Sequence, residues 1–220
     1  MEKKNYDKLM QEIIEKNQEL EMVPTLLLHT CCAPCSSAVI ERLSKYFRIT
    51  VFYYNPNIEP LEEYVKRKEE QKRFLSEVTT PYPINFLDCD YEHEEFIKLS
   101  KGLEKEKEGG PRCLKCYRLR LLKTAQKAHE LHFDYFGTSL TVSPYKNAQA
   151  LNQIGEELQK EFNIKYLYSD FKKRNGYKRS IELSKEYHLY RQDYCGCFFS
   201  QIQREQEKKD SYGSSFKENN

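Results

Sequence analysis

Apolar and polar positions alternate along the chain in blocks that change period. Residues 1–22 carry Leu9, Ile13 and Ile14 at helical spacing among charges, and Pro24 breaks that pattern. Thr25–Thr30 is a short unbroken apolar run, which predicts a strand buried on both faces. Residues 35–47 place Val39, Ile40, Leu43, Tyr46 and Phe47 on one helical face. Strands are then predicted at Arg48–Tyr54, Pro83–Leu87, Phe133–Gly137 and Ile164–Tyr168. Helices are predicted at 60–77, from Tyr91 onward, at 113–131, at 145–161 and at 177–188. Repeats of about 30 residues, strand then helix, are the size of a βαβ unit. The expected fold is α/β: a Rossmann-like parallel sheet of about five strands flanked by helices. Ligands in such sheets sit at the carboxyl ends of the strands, near a topological switch point.

The expected organisation is a helical extension over 1–22, one α/β catalytic domain over 23–200, and a polar tail over 201–220. The tail lacks aliphatic periodicity and is expected to be frayed or disordered. No apolar run approaches the roughly 18 residues of a membrane span, and the charged N-terminus has no signal-peptide core. The expectation is a cytoplasmic protein with no membrane partner. Hydrophobic residues make up 39% of the 220 and charged residues 32%, which excludes a chain disordered throughout. No internal repeat, GxGxxG or GxxxxGK[ST] motif occurs, so nicotinamide and P-loop nucleotide binding have no support.

Eight cysteines change the picture. In a reducing compartment a disulfide scaffold is not expected, and tight thiol clusters point to metal or redox chemistry. Cys31, Cys32 and Cys35 follow the first strand, where a helix N-terminus favours thiolate. Cys113 and Cys116 follow a Gly-Gly-Pro turn and share one side of a helix. The two clusters supply the four sulfurs of a tetrahedral zinc site or a [4Fe–4S] cube. Five thiols, the ligand end of a sheet and the long separation of Cys35 from Cys113 favour iron–sulfur. A thioredoxin-like pair, Cys32 and Cys35, is the rival reading. Cys195-Gly196-Cys197 would close a small, strained, reducible disulfide ring, or else add two metal ligands. Cys89 has no partner in sequence and reads as a packed or surface thiol. His29 reads first as a core histidine bonded to backbone.

Net charge is only +2, yet it is segregated. Residues 111–129 hold six cations, Arg112 among them, and no acid. Residues 163–191 hold eight cations, including Lys172, Lys173, Arg174, Lys178 and Arg179, against three acids. Tyr168, Phe171, Tyr177, Tyr187, Tyr190 and Tyr194 interleave with or follow this second stretch. Basic and aromatic residues together suit looped RNA, with a solvated helix face as the alternative.

These motifs resemble one family, the QueH-type epoxyqueuosine reductases. The residues that carry the resemblance are LLLHTCCAPCSS (26–37), FYYNPNIEP (52–60) with Glu63 and Tyr64, GGPRCLKCYRLRL (109–121), FGTSLTVSPYKN (136–147) and FKKRNGYKRSIELSKEYHLYRQDYCGC (171–197). The resemblance implies two-electron reduction of the epoxide of epoxyqueuosine, in the wobble position of tRNA, to queuosine. It implies a [4Fe–4S] cluster on Cys31, Cys32, Cys113 and Cys116, and a redox-active pair, Cys195 and Cys197. A second metal ion (iron) beside the cluster is a further expectation, with Cys35 its candidate ligand in place of an aspartate. The expected partners are tRNA, bound through Arg112, Lys172, Lys173, Arg174, Lys178 and Arg179, and an unidentified electron donor. The fold resembles the nucleotide α-hydrolase (PP-loop/HUP) class, but HTCCAPCSS stands where its SGGxDS phosphate loop would be, so ATP use is not implied. A zinc-stabilised tRNA-binding module without catalysis and a thiol–disulfide oxidoreductase using Cys32 and Cys35 remain as alternatives.

Overall fold

The computed structural model describes residues 4–215. Five parallel strands form one sheet in the order β3-β2-β1-β4-β5. They are β1 (Thr25–His29), β2 (Arg48–Phe52), β3 (Asn85–Leu87), β4 (Tyr135–Thr138) and β5 (Lys165–Tyr166). The first three strands step outward from β1, and β4 then pairs on its other side, Leu26 opposite Tyr135. That reversal makes the carboxyl ends of β1 and β4 the switch point.

The helices are α1 (Tyr6–Glu19), α2 (Ala33–Leu43), α3 (Leu61–Glu77), α4 (His93–Ser100), α5 (Pro111–Glu130), α6 (Ala148–Phe162), α7 (Gly176–Glu186) and α8 (Phe198–Ser215). Strand β1 is buried on both faces, as its unbroken apolar run predicts. Leu26 and Leu28 face a core built with Val39 and Leu43 of α2, Phe74 of α3, and Phe171. Leu27 faces the opposite core, with Leu121 and Ala125 of α5 and Leu151 and Leu158 of α6. The N-terminal helix joins the first of these cores through Met10 and Ile14, so it packs as part of the main body.

Two glycines are required by close approach. A Cβ on Gly155 would lie 2.4 Å from the Tyr166 ring, which lets α6 sit down on β5. A Cβ on Gly176 would lie 1.9 Å from the Phe171 carbonyl, which fixes the start of α7.

The tail expected to be disordered is helical through Ser215; residues 216–220 lie outside the described residues. Its support is not aliphatic. Side-chain bonds one turn apart join Gln201 to Glu205, Gln203 to Glu207 and Gln206 to Asp210. At its start Phe199 packs on Phe96 of α4 and lies under the Arg112 guanidinium. No helix among the described residues is long and apolar enough to cross a membrane.

Candidate metal and redox centre

The carboxyl end of β1 is locked before the first thiol. His29 is fully buried, with Nε2 donating to the Tyr54 carbonyl at 3.0 Å and Nδ1 meeting Thr138 Oγ1 at 3.2 Å. It ties β1 to the ends of β2 and β4, the core role expected of it. Burial, then the Arg120 charge, push its pKa down to about 3, so the ring is neutral. Thr30 continues the lock: its N–H donates to Phe52 and its carbonyl accepts from Asn55.

The chain then turns into α2, with Cys32 at the N-cap and Pro34 in the first turn. The Cys31, Cys32 and Cys35 sulfurs lie within 4.8 Å of one another, close enough to share a metal ion. Cys31 and Cys32 are buried and Cys35 half-buried. Hydrogen bonds from Cys31 and Cys35, helped by the Arg67 charge, hold the Cys32 thiol well below its usual value. Cys35 moves the other way, pushed well up by the same two neighbours and by burial. Three thiols that share protons in this way lose the first easily and the second with difficulty.

Four of the other five thiols come from two places. Pro111 starts α5 directly after the Gly-Gly turn. Cys113 is half-buried and accepts the Gly109 N–H at 3.2 Å. Cys116 is buried beside Phe96 and Cys197, and burial pushes its thiol up to about 12. Between Cys195 and Cys197, Gly196 adopts φ +120°, and a Cβ there would press on Arg67 and Ile58. Cys195 is half-buried and Cys197 buried; all eight cysteines are free thiols.

Cys35 joins Cys31 and Cys32 within reach of one ion, while Cys116 lies beside Cys197 and feels the charges of Cys113 and Cys195. Two buried cations interact with thiols of both groups. Arg120 is fully buried and acts on Cys116, Cys195 and Cys31. Its Nη1 and Nη2 have no hydrogen-bond partner among the described residues. Lys146 donates to Cys195 Sγ at 2.9 Å and acts on Cys31 and Cys113. Burial alone would lower its pKa; the Cys195 sulfur and the Tyr117 phenol outweigh burial and hold it well above the usual lysine value. A buried guanidinium with open donors among thiols calls for anionic matter beside it.

Sequence reasoning missed Arg67. It is 1% exposed, bonds Glu63 at 2.6 Å and reaches the Cys195 carbonyl at 3.1 Å. The Glu63–Arg67 spacing of four on a helix was the available signal. Lys146 lay inside a quoted motif, but nothing in that motif marked it. Cys89 is a packed thiol: its Sγ donates to the Tyr53 carbonyl, and burial pushes it up to about 12.

The cations assigned to RNA divide. Arg112 is corrected: it is 2% exposed and donates to the carbonyls of Leu103 and Glu104, so it holds the turn before α5. Lys172 bonds the Thr141 carbonyl and Asp170. Arg174 pairs with Asp7, and Arg179 with Glu41 and Glu182. Lys173 and Lys178 are exposed and form no ion pair with another described residue. The aromatic residues divide too. Phe171 is buried and Tyr187 packs edge-on against Phe74. Tyr177 and Tyr194 line a pocket of about 520 Å³ beside Cys31, Cys35 and Cys195.

An α/β sheet with thiols crowded around buried cations at its switch point belongs to the class of metal-dependent or thiol redox enzymes. Comparison with known proteins narrows the class. The family model described as epoxyqueuosine reductase QueH matches residues 26–203. A Streptococcus pyogenes protein named epoxyqueuosine reductase QueH is 47% identical over 201 residues, covering 90% of this chain and 79% of its own. Proteins of the same name from Staphylococcus epidermidis and Thermotoga maritima are 42% and 36% identical, over 92% and 82% of this chain and 87% and 92% of theirs. The chain belongs to the QueH family of epoxyqueuosine reductases.

Proposed function

We propose that this chain reduces the epoxide of epoxyqueuosine in the wobble position of tRNA, giving queuosine and water. The observation that carries this reading is the meeting of two thiol groups around Arg120 and Lys146, beside a nucleoside-sized pocket. Thiolates are the natural ligands of an iron–sulfur cluster, and the open donors of Arg120 fit its negative charge. Cys31, Cys32, Cys113 and Cys116 would hold that [4Fe–4S] cluster. Bound there, it would supply single electrons at low potential.

Cys35, with its sulfur beside those of Cys31 and Cys32, is suited to a second metal ion, iron. Cys195 lines the pocket while Cys197 faces the buried cluster of Phe96 and Cys116. That asymmetry supports a dithiol–disulfide pair with one member toward substrate and one toward the metal site. Arg67 holds the pair by the Cys195 carbonyl and keeps its loop against α3. Tyr177 and Tyr194 offer faces on which an unstacked anticodon base can lie. Lys173 and Lys178 remain as the exposed phosphate contacts of the expected set. The electron donor is a separate partner, and the reading places the work in the cytoplasm, where its tRNA is.

The test is anaerobic purification with iron and sulfide analysis, followed by reaction with tRNA carrying epoxyqueuosine. Expected are about four irons or more per chain and conversion of the epoxide. Metal-free protein that converts the tRNA at the same rate would sink the cluster assignment. Zinc without turnover would make the chain a binding module.

A further inference from the structure

Four cations line the pocket: Lys146, Arg191, Arg204 and Lys208. Three belong to its rim. Arg191 and Lys208 are exposed, and Arg204 bonds the Asp193 carbonyl and pairs with Glu207. Lys146 differs in every respect. Its side chain is 7% exposed, and its Nζ sits 2.9 Å from Cys195 Sγ and 4.0 Å from the Glu108 carboxylate. It also stands 5.8 Å from the centroid of the Tyr117 ring.

The backbone under it is held from both sides. The Lys146 N–H donates to Ser143, and its carbonyl accepts from Lys172 Nζ at 3.4 Å. Asn147 caps α6 at the next residue, so the lysine is anchored to a helix start. A long, flexible side chain is thus fixed with its ammonium between a pocket-lining thiol and a pocket-lining carboxylate. That is a cost in side-chain entropy and desolvation, and packing alone does not require a charge there.

We propose that Lys146 binds the epoxide oxygen of the substrate and gives it a proton as its first C–O bond breaks; this rests on the reductase reading above. Both C–O bonds break with their electron pairs on oxygen. The reductant that the activity requires supplies two electrons, which become the new C=C bond. The oxygen takes two protons and leaves as water. Lys146 gives the first proton: its N–H bond breaks, an O–H bond forms, and the amine regains a proton from pocket water. An alkoxide is a far stronger base than an amine, so the transfer runs downhill once the C–O bond opens. Cys195 and Glu108 orient the ammonium toward the pocket by holding it from the sides.

The experiment compares the full chain with Lys146→Met and Lys146→Ala, all purified anaerobically. Reaction of epoxyqueuosine tRNA is followed in a single turnover with chemically prereduced protein. Iron and sulfide content, tRNA affinity and thermal midpoint are measured on the same samples. Expected for Lys146→Met is a rate loss of about 100-fold or more, with tRNA affinity within about threefold and metal content unchanged. Added ethylammonium should restore the Lys146→Ala rate by about tenfold, which a purely structural lysine would not allow. A Lys146→Met rate within about threefold of the parent would overturn the proposal. So would loss of iron and sulfide in step with the rate, since Lys146 would then serve the metal centre. A parent chain that holds its metal but never converts the tRNA would fail the reductase reading itself, and this assignment with it.

Discussion

The two thiol groups are built by opposite means. Cys31, Cys32 and Cys35 come from one unbroken stretch, where a strand buried on both faces runs into a helix. Their positions follow from the core: His29 and Thr30 are bonded to neighbouring strands just before the first sulfur. Cys113, Cys116, Cys195 and Cys197 come from distant stretches, and side chains hold them together. Arg67 spans from α3 to the Cys195 carbonyl, and Lys146 from the start of α6 to the Cys195 sulfur. The first group is a product of the fold, and the second is an assembly. Loss of a cluster sulfur from either group should be all-or-none, and damage to the side chains that hold the second together should be graded.

The largest effect is expected at the first group. Cys32→Ser should abolish iron–sulfur absorption and epoxide reduction together, since a serine hydroxyl is a poor substitute for a thiolate ligand of cluster iron. A brown, active Cys32→Ser protein would break the comparison at its stronger end.

The lock beneath this group has its own signature in pH. His29 titrates at about 3 in the fold, below its ordinary value of 6.5. A base whose folded pKa is depressed stabilises the fold above the unfolded value and loses that stability as pH falls. The window runs from about 6.5 down to about 3, with on the order of 5 kcal/mol at stake. Denaturant unfolding of His29→Asn should start from a lower stability and show a shallower decline across this window. An identical slope in both proteins would place the acid sensitivity elsewhere.

Arg67 tests the assembled group. Arg67→Met leaves Glu63, 11% exposed, without its cationic partner though still bonded by the Tyr190 hydroxyl, and the Cys195 carbonyl without its donor. Loss of a buried partner costs about 3 kcal/mol. Chemical unfolding should show that loss while iron content falls only in part, because Arg67 supports Cys32 through its charge and no sulfur is removed. Loss of all iron would mean that the two groups are not separable.

The uneven construction also explains what could be read from sequence. Strand β1, its switch-point position and its thiols were legible because all depend on local pattern: an apolar run, then cysteines, then a helix with proline in its first turn. His29 as a core residue was legible for the same reason. Arg67 was not, because its partner lies 128 residues away. The charge count of 111–129 misassigned Arg112, since a count cannot tell a solvated cation from one turned under Phe199. The tail was misread because α8 rests on Phe199 and on pairs of glutamine and glutamate one turn apart, not on an aliphatic stripe.

Within the assembled group, the double variant Cys195→Ser, Cys197→Ser should keep its iron. Multiple turnover should slow by about tenfold or more, while a single turnover from prereduced protein should suffer less. Loss of iron on purification would make these sulfurs ligands and end their reading as a redox pair.

The smallest effect is expected at the surface proposed to meet RNA. Lys173 and Lys178 are exposed without ion pairs to other described residues, whereas Arg174 and Arg179 already hold Asp7 and Glu41. A cation that contacts phosphate releases counterions, so log affinity falls with log salt by about 0.7 to 0.9 per contact. Lys173→Ala with Lys178→Ala should therefore weaken tRNA binding several-fold and flatten the salt slope by about 1.5. Arg112→Ala should leave that slope unchanged and lower the thermal midpoint instead, because its guanidinium bonds two carbonyls under Phe199. A flattened slope in Arg112→Ala, or an unchanged one in the double lysine variant, would reverse the assignment of inward and outward cations.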